Sequence, residues 1–335
     1  MKKRLAIAVT SELYPTIFDE HDQSRLKSLC DIVPVEIPNA ADKDFLLKAV
    51  PSAEIVITSW GTAAFDDEVM AAAGKLKLIT HAAGSVKPLL SDALIASGIR
   101  ITSGAEAISY GVAEYCLGLM LLASKRAPWA SNGTRRGLWN EAVNAFGGAF
   151  ELYRKNIGII GMSKVGRHLA HLLKNFDCSI FTYDPYCSSE QALSASAVKV
   201  DTLDELFSRC SIVSLNAPST EETKGMLRGS HFALLHDGAL FINTARADLI
   251  NEPEFVEELN KGRFIACLDV TSPEPCPLNH PYRTLSNVML TPHIAGVLAN
   301  NRLRIGTHVA DDIEAYANGL PLKNQVDLTR LAIIG

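Results

Sequence analysis

Short runs of apolar, often β-branched residues recur along the chain. Longer stretches between them return an apolar position every three or four residues. The first runs are Leu5–Val9, Ile32–Ile37, Ile55–Ser59, Leu76–His81 and Ile99–Thr102, with helical spacing between them, as at 66–73. Such runs suit strands covered on both faces, and their alternation with helices predicts a small parallel α/β domain. A second set follows at Asn156–Ile160, Ser179–Tyr183, Ile212–Leu215, Ala239–Asn243, Ile265–Val270 and Asn287–Leu290. Six strands with helices between most of them are what a doubly wound parallel sheet requires.

Two long helical patterns, Val112–Arg126 and Asn301–Asn318, join the two sets. The chain is therefore expected to leave a smaller domain near residue 105 and return to it near residue 295. Residues 1–105, completed by 296–335, form the smaller domain in this reading, and residues 106–295 the larger one. Between Pro128 and Arg154 the pattern changes: Trp129, Trp139, Phe146 and Phe150 stand among Gly133, Gly137, Gly147 and Gly148. So long and aromatic a connection is costly to leave in water. It is expected to form an arm that reaches a second copy of the chain, the alternative being a flap on its own subunit.

Composition narrows the class. The 335 residues are 47% hydrophobic and 21% charged, which gives no reason to expect disorder. A formal net charge of -5, with basic stretches only as short as Lys2-Lys3-Arg4 and Arg135-Arg136, argues against nucleic-acid binding. The apolar part of Leu5–Val9 is too short for a signal-peptide core, and the run around Cys116–Ala123 is too short to span a bilayer. Seven cysteines, none in a C-x-x-C pair, suit a reduced, cytoplasmic setting, and no residue is assigned to a metal.

Candidate chemistry begins at Asn156–Gly166. A strand runs into Gly161-Met162-Ser163-Lys164-Val165-Gly166, a turn followed by the first turn of a helix. Gly161 suits the sharp turn and Gly166 close packing of helix on sheet. The amides at Ser163, Lys164 and Val165 are placed to bind a pyrophosphate with help from the helix dipole. Ser163 stands where the middle glycine of G-x-G-x-x-G belongs and brings a Cβ and a hydroxyl to that spot. Asp184 follows Gly161 by 23 residues, at the end of the next strand, where a carboxylate accepts both ribose hydroxyls of adenosine and repels a 2′-phosphate. The pair points to NAD rather than NADP.

Three polar residues follow three successive strands: Arg246, Glu274 and His293. In a parallel sheet these strand ends share the carboxyl edge, the usual cleft-forming edge. A histidine titrates near neutrality and transfers protons, a carboxylate orients it and stabilises imidazolium, and an arginine fork holds a carboxylate or polarises a carbonyl. Taken singly, Arg246 reads as a surface residue, Glu274 as a turn residue between prolines, His293 as a cap and Asp184 as a turn residue before Pro185. Their joint placement favours the catalytic reading.

These residues stand in motifs that resemble the D-isomer-specific 2-hydroxyacid dehydrogenase family: VAE at 112–114, GIIGMSKVG at 158–166, NTAR at 243–246, LDV at 268–270, PEP at 273–275 and TPH at 291–293. The resemblance implies Arg246 as essential arginine, Glu274 as carboxylate partner and His293 as proton donor. It implies Asp184 at the adenosine ribose, Asp269 at the nicotinamide amide, and Asn216-Ala217-Pro218, Thr244 and Ala245 beside the cofactor. Asn216 stands where histidine is commoner. Ala82–Val86 resembles the turn whose amides, at Ala83 and Gly84, receive the substrate carboxylate, although Val86 replaces the usual aspartate. Lys87 is read as a surface residue, with recognition of a second acidic group as the alternative.

The expected protein is a homodimeric NAD-dependent oxidoreductase. It interconverts a 2-keto acid and a 2-hydroxy acid, the D isomer by resemblance, in the cleft between its domains. The alternatives are a dehydrogenase of another small anion and a catalytically weak NAD-sensing scaffold.

Overall fold

The computed structural model describes residues 2–140, 148–296 and 300–331. The chain divides into two compact units, Met1–Ser109 with Gly296–Leu331, and Tyr110–Ala295.

The first unit holds a parallel sheet of β1 (Lys3–Ala8), β2 (Cys30–Ile32), β3 (Ile55–Thr58), β4 (Leu78–His81) and β5 (Arg100–Ser103), in the order β2-β1-β3-β4-β5. Alternate residues of its strands enter two separate cores. Ala6, Ala8, Val56, Ile79 and Ile101 go to one. Leu5, Ile7, Val9, Ile55, Ile57 and Leu78 go to the other, where Ile305, Val309, Ala310 and Ile313 of the helix Asn300–Ala317 close over them. Residues four apart share one side of a helix, so this spacing lets the late helix cover the sheet built by the start of the chain.

The second unit contains seven parallel strands: β6 (Asn156–Ile160), β7 (Ser179–Tyr183), β8 (Val198–Lys199), β9 (Ile212–Leu215), β10 (Leu240–Asn243), β11 (Ile265–Leu268) and β12 (Val288–Leu290). Their order is β12-β11-β10-β9-β6-β7-β8. The chain winds outward from β6 through β7 and β8, then returns to lay β9 on the other side of β6. That reversal opens a crevice at the carboxyl ends of β6 and β9, where a doubly wound sheet takes its ligand. One face of the sheet is sealed by the buried rings of Phe207, Phe232, Phe241, Phe255 and Phe264. Centroid separations such as 4.4 Å for Phe232–Phe255 and 5.0 Å for Phe232–Phe241 mark direct ring packing. Truncating one such ring to alanine costs about 3–5 kcal/mol.

Several expectations need correction. β2 covers only Cys30–Ile32, not Ile32–Ile37. Pro34 and Pro38 donate no ladder hydrogen bond, and Ser11 instead donates from its amide to the Pro38 carbonyl. The second unit has a seventh strand, β8, whose two residues are too few to show a pattern. Pro128 does not open an irregular connection but occupies the first turn of a helix, Ala127–Arg135, where a missing amide proton costs nothing. Phe146 and Gly147 of the expected arm lie outside the described residues. The helix ending before that arm runs over Ala105–Ser124, and by length and composition it is long and apolar enough to cross a membrane. Half of its most apolar window is buried within the protein, including Ala113, Cys116, Met120 and Ala123, as in the core helix of a globular domain.

Candidate active site

The glycine turn is built as a close approach of backbones. β6 ends at Ile160, and Gly161 follows with φ +90°; a Cβ there would stand 2.8 Å from both Cα and N of Ala217, in the turn after β9. A Cβ on Gly166 would lie 2.2 Å from the Gly161 carbonyl oxygen, so the helix Lys164–Leu173 sits on the turn at a distance only glycine allows. That helix buries Gly166, Leu169, Ala170 and Leu173.

Ser163 caps it. Its hydroxyl donates to the Asn216 carbonyl at 2.9 Å and accepts from the Gly166 amide, tying the helix start to the β9 turn rather than extending outward. Lys164 is exposed and Val165 half-buried at the same helix start. The Asp184 carboxylate, at the end of β7, accepts from the Met162 amide at 2.7 Å and the Tyr186 amide at 2.8 Å. Asn216 is buried and donates to Ser214, while its Oδ1 has no hydrogen-bond partner among the described residues. Ala217 is buried and Pro218 half-buried in the same turn.

A cradle that a Cβ would fill, an acidic residue at the next strand end and a buried amide oxygen in need of a donor all fit an adenine dinucleotide. Ser163, Lys164 and Val165 would hold its pyrophosphate, Asp184 its ribose.

The strand ends after β10, β11 and β12 bring the polar residues together. After β10, the buried Asn243 side chain donates to the Arg246 carbonyl at 2.9 Å and accepts from the Ala245 amide at 3.0 Å, which fixes the loop that presents Arg246. Thr244 is buried with its hydroxyl 3.1 Å from Cys116 Sγ. Arg246 itself is exposed, with Nη1 donating to the Ala245 carbonyl at 2.6 Å.

After β12 the chain turns through Thr291 and Pro292 to His293, which takes φ 53°, a left-handed conformation uncommon for a side chain this size. Asp269, after β11, holds it there. Its carbonyl accepts from the His293 amide at 2.8 Å. Its carboxylate accepts from the Thr291 hydroxyl at 2.6 Å and from the amides of Ile294 and Ala295 at 2.9 and 2.8 Å. Tyr115 extends the chain by donating to Thr291 at 3.0 Å.

Glu274 completes the pair. Its Oε2 lies 2.8 Å from His293 Nδ1, and its Oε1 accepts from the Thr271 amide at 3.2 Å. With Nδ1–H given to the carboxylate, Nε2 is the free nitrogen of the neutral ring. Burial would raise the Glu274 carboxyl. The hydrogen bonds from His293 and Thr271 and the positive charges of His293 and Arg246 outweigh it and leave the group below its ordinary value. Both side chains keep more than two fifths of their surface exposed, so the pair is accessible to a small molecule. Thiol chemistry has no comparable candidate among the buried cysteines: burial pushes Cys116 up to about 11 and Cys210 and Cys267 up to about 12.

In the first unit, Ala82–Val86 turns away from the carboxyl end of β4. Among the described residues no acceptor meets the amides of Ala83 and Gly84. Val86 is buried in the apolar core, and Lys87 is exposed.

Asn243 and Tyr115 were not distinguished by sequence. An asparagine at a strand end that bonds its own backbone two residues on is an Asx turn, a readable signal. Tyr115 sits in an apolar helical pattern and gives none.

Fold and site together define a two-unit α/β protein with a doubly wound dinucleotide-binding domain and a hydrogen-bonded His–Glu pair at its sheet edge. The NAD binding domain of D-isomer specific 2-hydroxyacid dehydrogenase matches residues 117–295, more than half of the chain, and the chain belongs to that family. It is 32% identical to D-3-phosphoglycerate dehydrogenase of Methanocaldococcus jannaschii over 94% of its own length, but it spans only 59% of that relative. Glyoxylate reductase of Thermofilum pendens is 31% identical, with 90% of each chain covered. The fold is also that of Rhodotorula graminis D-mandelate dehydrogenase, at a TM-score of 0.82, 20% identity and 98% coverage of both chains.

Proposed function

We propose that the protein is an NAD-dependent oxidoreductase that interconverts a small 2-keto acid and its 2-hydroxy acid, of D configuration. The observation that carries this reading is the 2.8 Å contact between His293 Nδ1 and Glu274 Oε2, which orients a proton-transferring nitrogen at the carboxyl edge of a dinucleotide-binding sheet. Family membership and the likeness to a glyoxylate reductase over nine tenths of both chains support it.

When bound, NADH supplies the hydride taken up by C2 of the keto acid. His293 Nε2 gives its proton to the C2 oxygen as the hydride arrives, and the imidazole left behind takes one back from water; in oxidation it is the base. Glu274 stabilises the imidazolium and holds the ring. Arg246 exchanges its bond to the Ala245 carbonyl for the substrate, stabilising negative charge on the reacting oxygen and binding the carboxylate. In the first unit, the amides of Ala83 and Gly84 are proposed as donors to a carboxylate. Asp184 accepts the adenosine ribose hydroxyls and disfavours a 2′-phosphate. In this reading Asp269 carries the nicotinamide amide on whatever acceptor capacity the histidine loop leaves it.

The protein is further proposed to be a cytoplasmic homodimer. All seven cysteines are free thiols, and Trp139, Leu121 and Leu122 are exposed apolar residues that a second copy would cover. The experiment for function follows NADH oxidation across glyoxylate, pyruvate, hydroxypyruvate, longer 2-keto acids and sugar-derived keto acids, with chiral analysis of the product. Turnover of at least one to a D-hydroxy acid is expected; tight NADH binding with no turnover would favour the scaffold.

A further inference from the structure

In its sheet β6 lies between β7 and β9. A group that reaches from the loop after β7 to the loop after β9 therefore passes over the crevice at the carboxyl end of β6. The floor of that crevice is the approach of Gly161 to Ala217, where a Cβ on the glycine would stand 2.8 Å from Ala217 Cα. A side-chain hydrogen bond joins the two loops: the Tyr186 hydroxyl donates to Glu222 Oε2.

Both ends of this bridge are anchored. Tyr186 sits two residues beyond Asp184, and its amide donates to Asp184 Oδ1 at 2.8 Å, while Oδ2 takes the Met162 amide of the glycine turn at 2.7 Å. Glu222 stands in the turn 220–223. There the Thr220 amide donates to the Thr223 hydroxyl at 2.8 Å, and that hydroxyl donates to the Pro218 carbonyl at 2.7 Å. Pro218 follows Ala217, so the turn that carries Glu222 hangs from the crevice floor. The Gly225 amide ties the far end of the loop by donating to the Asp248 carbonyl at 2.8 Å. The backbone on each side is thus held, whereas Tyr186 and Glu222 themselves are exposed, Tyr186 at 51%. A hydrogen bond in water contributes little net stability, so the bridge opens and closes between two steady supports.

We propose that Tyr186 and Glu222 form a clasp over the adenosine half of the cofactor, which has to part each time the dinucleotide enters or leaves. The proposal rests on the reading that Asp184 holds the adenosine ribose. Tyr186, bonded to that carboxylate through its amide, then lies beside the ribose, and Glu222 faces it from the other loop. A bond that breaks for passage in either direction slows both binding and release and adds little to affinity.

Tyr186→Phe removes the hydroxyl and keeps the ring, Glu222→Ala removes the acceptor, and Glu222→Gln keeps an uncharged one. NADH association and dissociation are followed by stopped-flow fluorescence for the parent, each variant and the double variant Tyr186→Phe with Glu222→Ala. Tyr186→Phe and Glu222→Ala should each raise both rate constants about five-fold, the effect of one hydrogen bond, with Kd within about two-fold. Glu222→Gln should fall between the parent and Glu222→Ala. The double variant should be no faster than either single one, because both changes remove the same bond. The same acceleration is expected for ADP-ribose, measured in competition with NADH.

Rate constants within about two-fold of the parent in both single variants overturn the proposal. So does a weaker Kd carried by dissociation alone, the mark of side chains that only touch the bound cofactor, and so does additivity in the double variant. An effect on NADH without one on ADP-ribose takes the bridge away from the adenosine half and overturns it too. If the parent binds NADH but turns over no keto acid, the functional reading fails and the same rates still decide on the clasp. If the parent binds neither NADH nor ADP-ribose, both fall.

Discussion

Glu274 and His293 meet at 2.8 Å although they sit on loops after different strands, and both loops are anchored to residues around Asp269. The Asp269 carboxylate and carbonyl fix the left-handed turn at His293, while Thr271, two residues beyond Asp269, fixes the other Glu274 oxygen. The pair is built by backbone geometry.

Replacing Glu274 with glutamine removes the negative charge that stabilises imidazolium. Reduction is slowed, and kcat/KM at neutral pH drops by a smaller factor than on loss of His293 itself. In the parent, Glu274 is held below its ordinary value, so the carboxylate is present above the usual carboxylate range and is lost only as pH falls through the depressed value. Superimposable pH-rate profiles for parent and variant would contradict this.

Asp184 accepts from the Met162 and Tyr186 amides and is proposed to hold the adenosine ribose. Asp184→Ala is expected to weaken NADH and to narrow its advantage over NADPH, read from kcat/KM for both cofactors. Equal efficiency with the two cofactors in the unmodified protein would refute the assignment.

Gly166→Ala places a Cβ where the Gly161 carbonyl already lies at 2.2 Å. The helix must move off the turn. Urea unfolding should show a loss of about 1–3 kcal/mol, the usual cost of overpacking, and NADH binding should weaken with it. Native stability and native affinity together would show that the contact relaxes freely.

A homodimer is expected from the exposed apolar residues around the helix Ala105–Ser124 and Trp139. Light scattering at micromolar concentration, with and without NAD, checks it; a monomer in both conditions rejects it. Trp129 is not wholly part of such a surface, since its indole donates to the Ser286 carbonyl at 2.6 Å within its own chain.

The nucleotide turn was readable because Gly161, Gly166 and Asp184 act through local backbone geometry at fixed sequence separations. Arg246, Glu274 and His293 were readable for a related reason: parallel strands put their ends on one edge. What the pattern could not show depends on contacts between distant segments. Asp269 drew attention as a cofactor residue, yet the three bonds to its carboxylate from Thr291, Ile294 and Ala295 appear only once β11 and β12 are paired. Ser163 brought a hydroxyl to the middle-glycine position, and its proton goes to the Asn216 carbonyl, 53 residues away in the chain. His81 looked like the end of an apolar run, and nothing local marks the ring as a tie to Thr58. β8 and the shortened β2 were lost because two or three residues carry no periodicity.

The central claim is that His293 transfers the proton, and its substitution tests it most directly. His293→Ala should lose roughly 10²–10⁴-fold in kcat/KM with the best keto acid, the scale of a positioned acid or base. NADH affinity should change far less, because the nucleotide turn lies at β6 and β9. His293→Gln should be equally poor, since glutamine keeps polarity but exchanges no proton near neutrality. The measurement is kcat/KM for His293→Ala beside an NADH titration of the same preparation. A loss of that size with NADH binding intact is the predicted result; near-normal turnover would contradict the account.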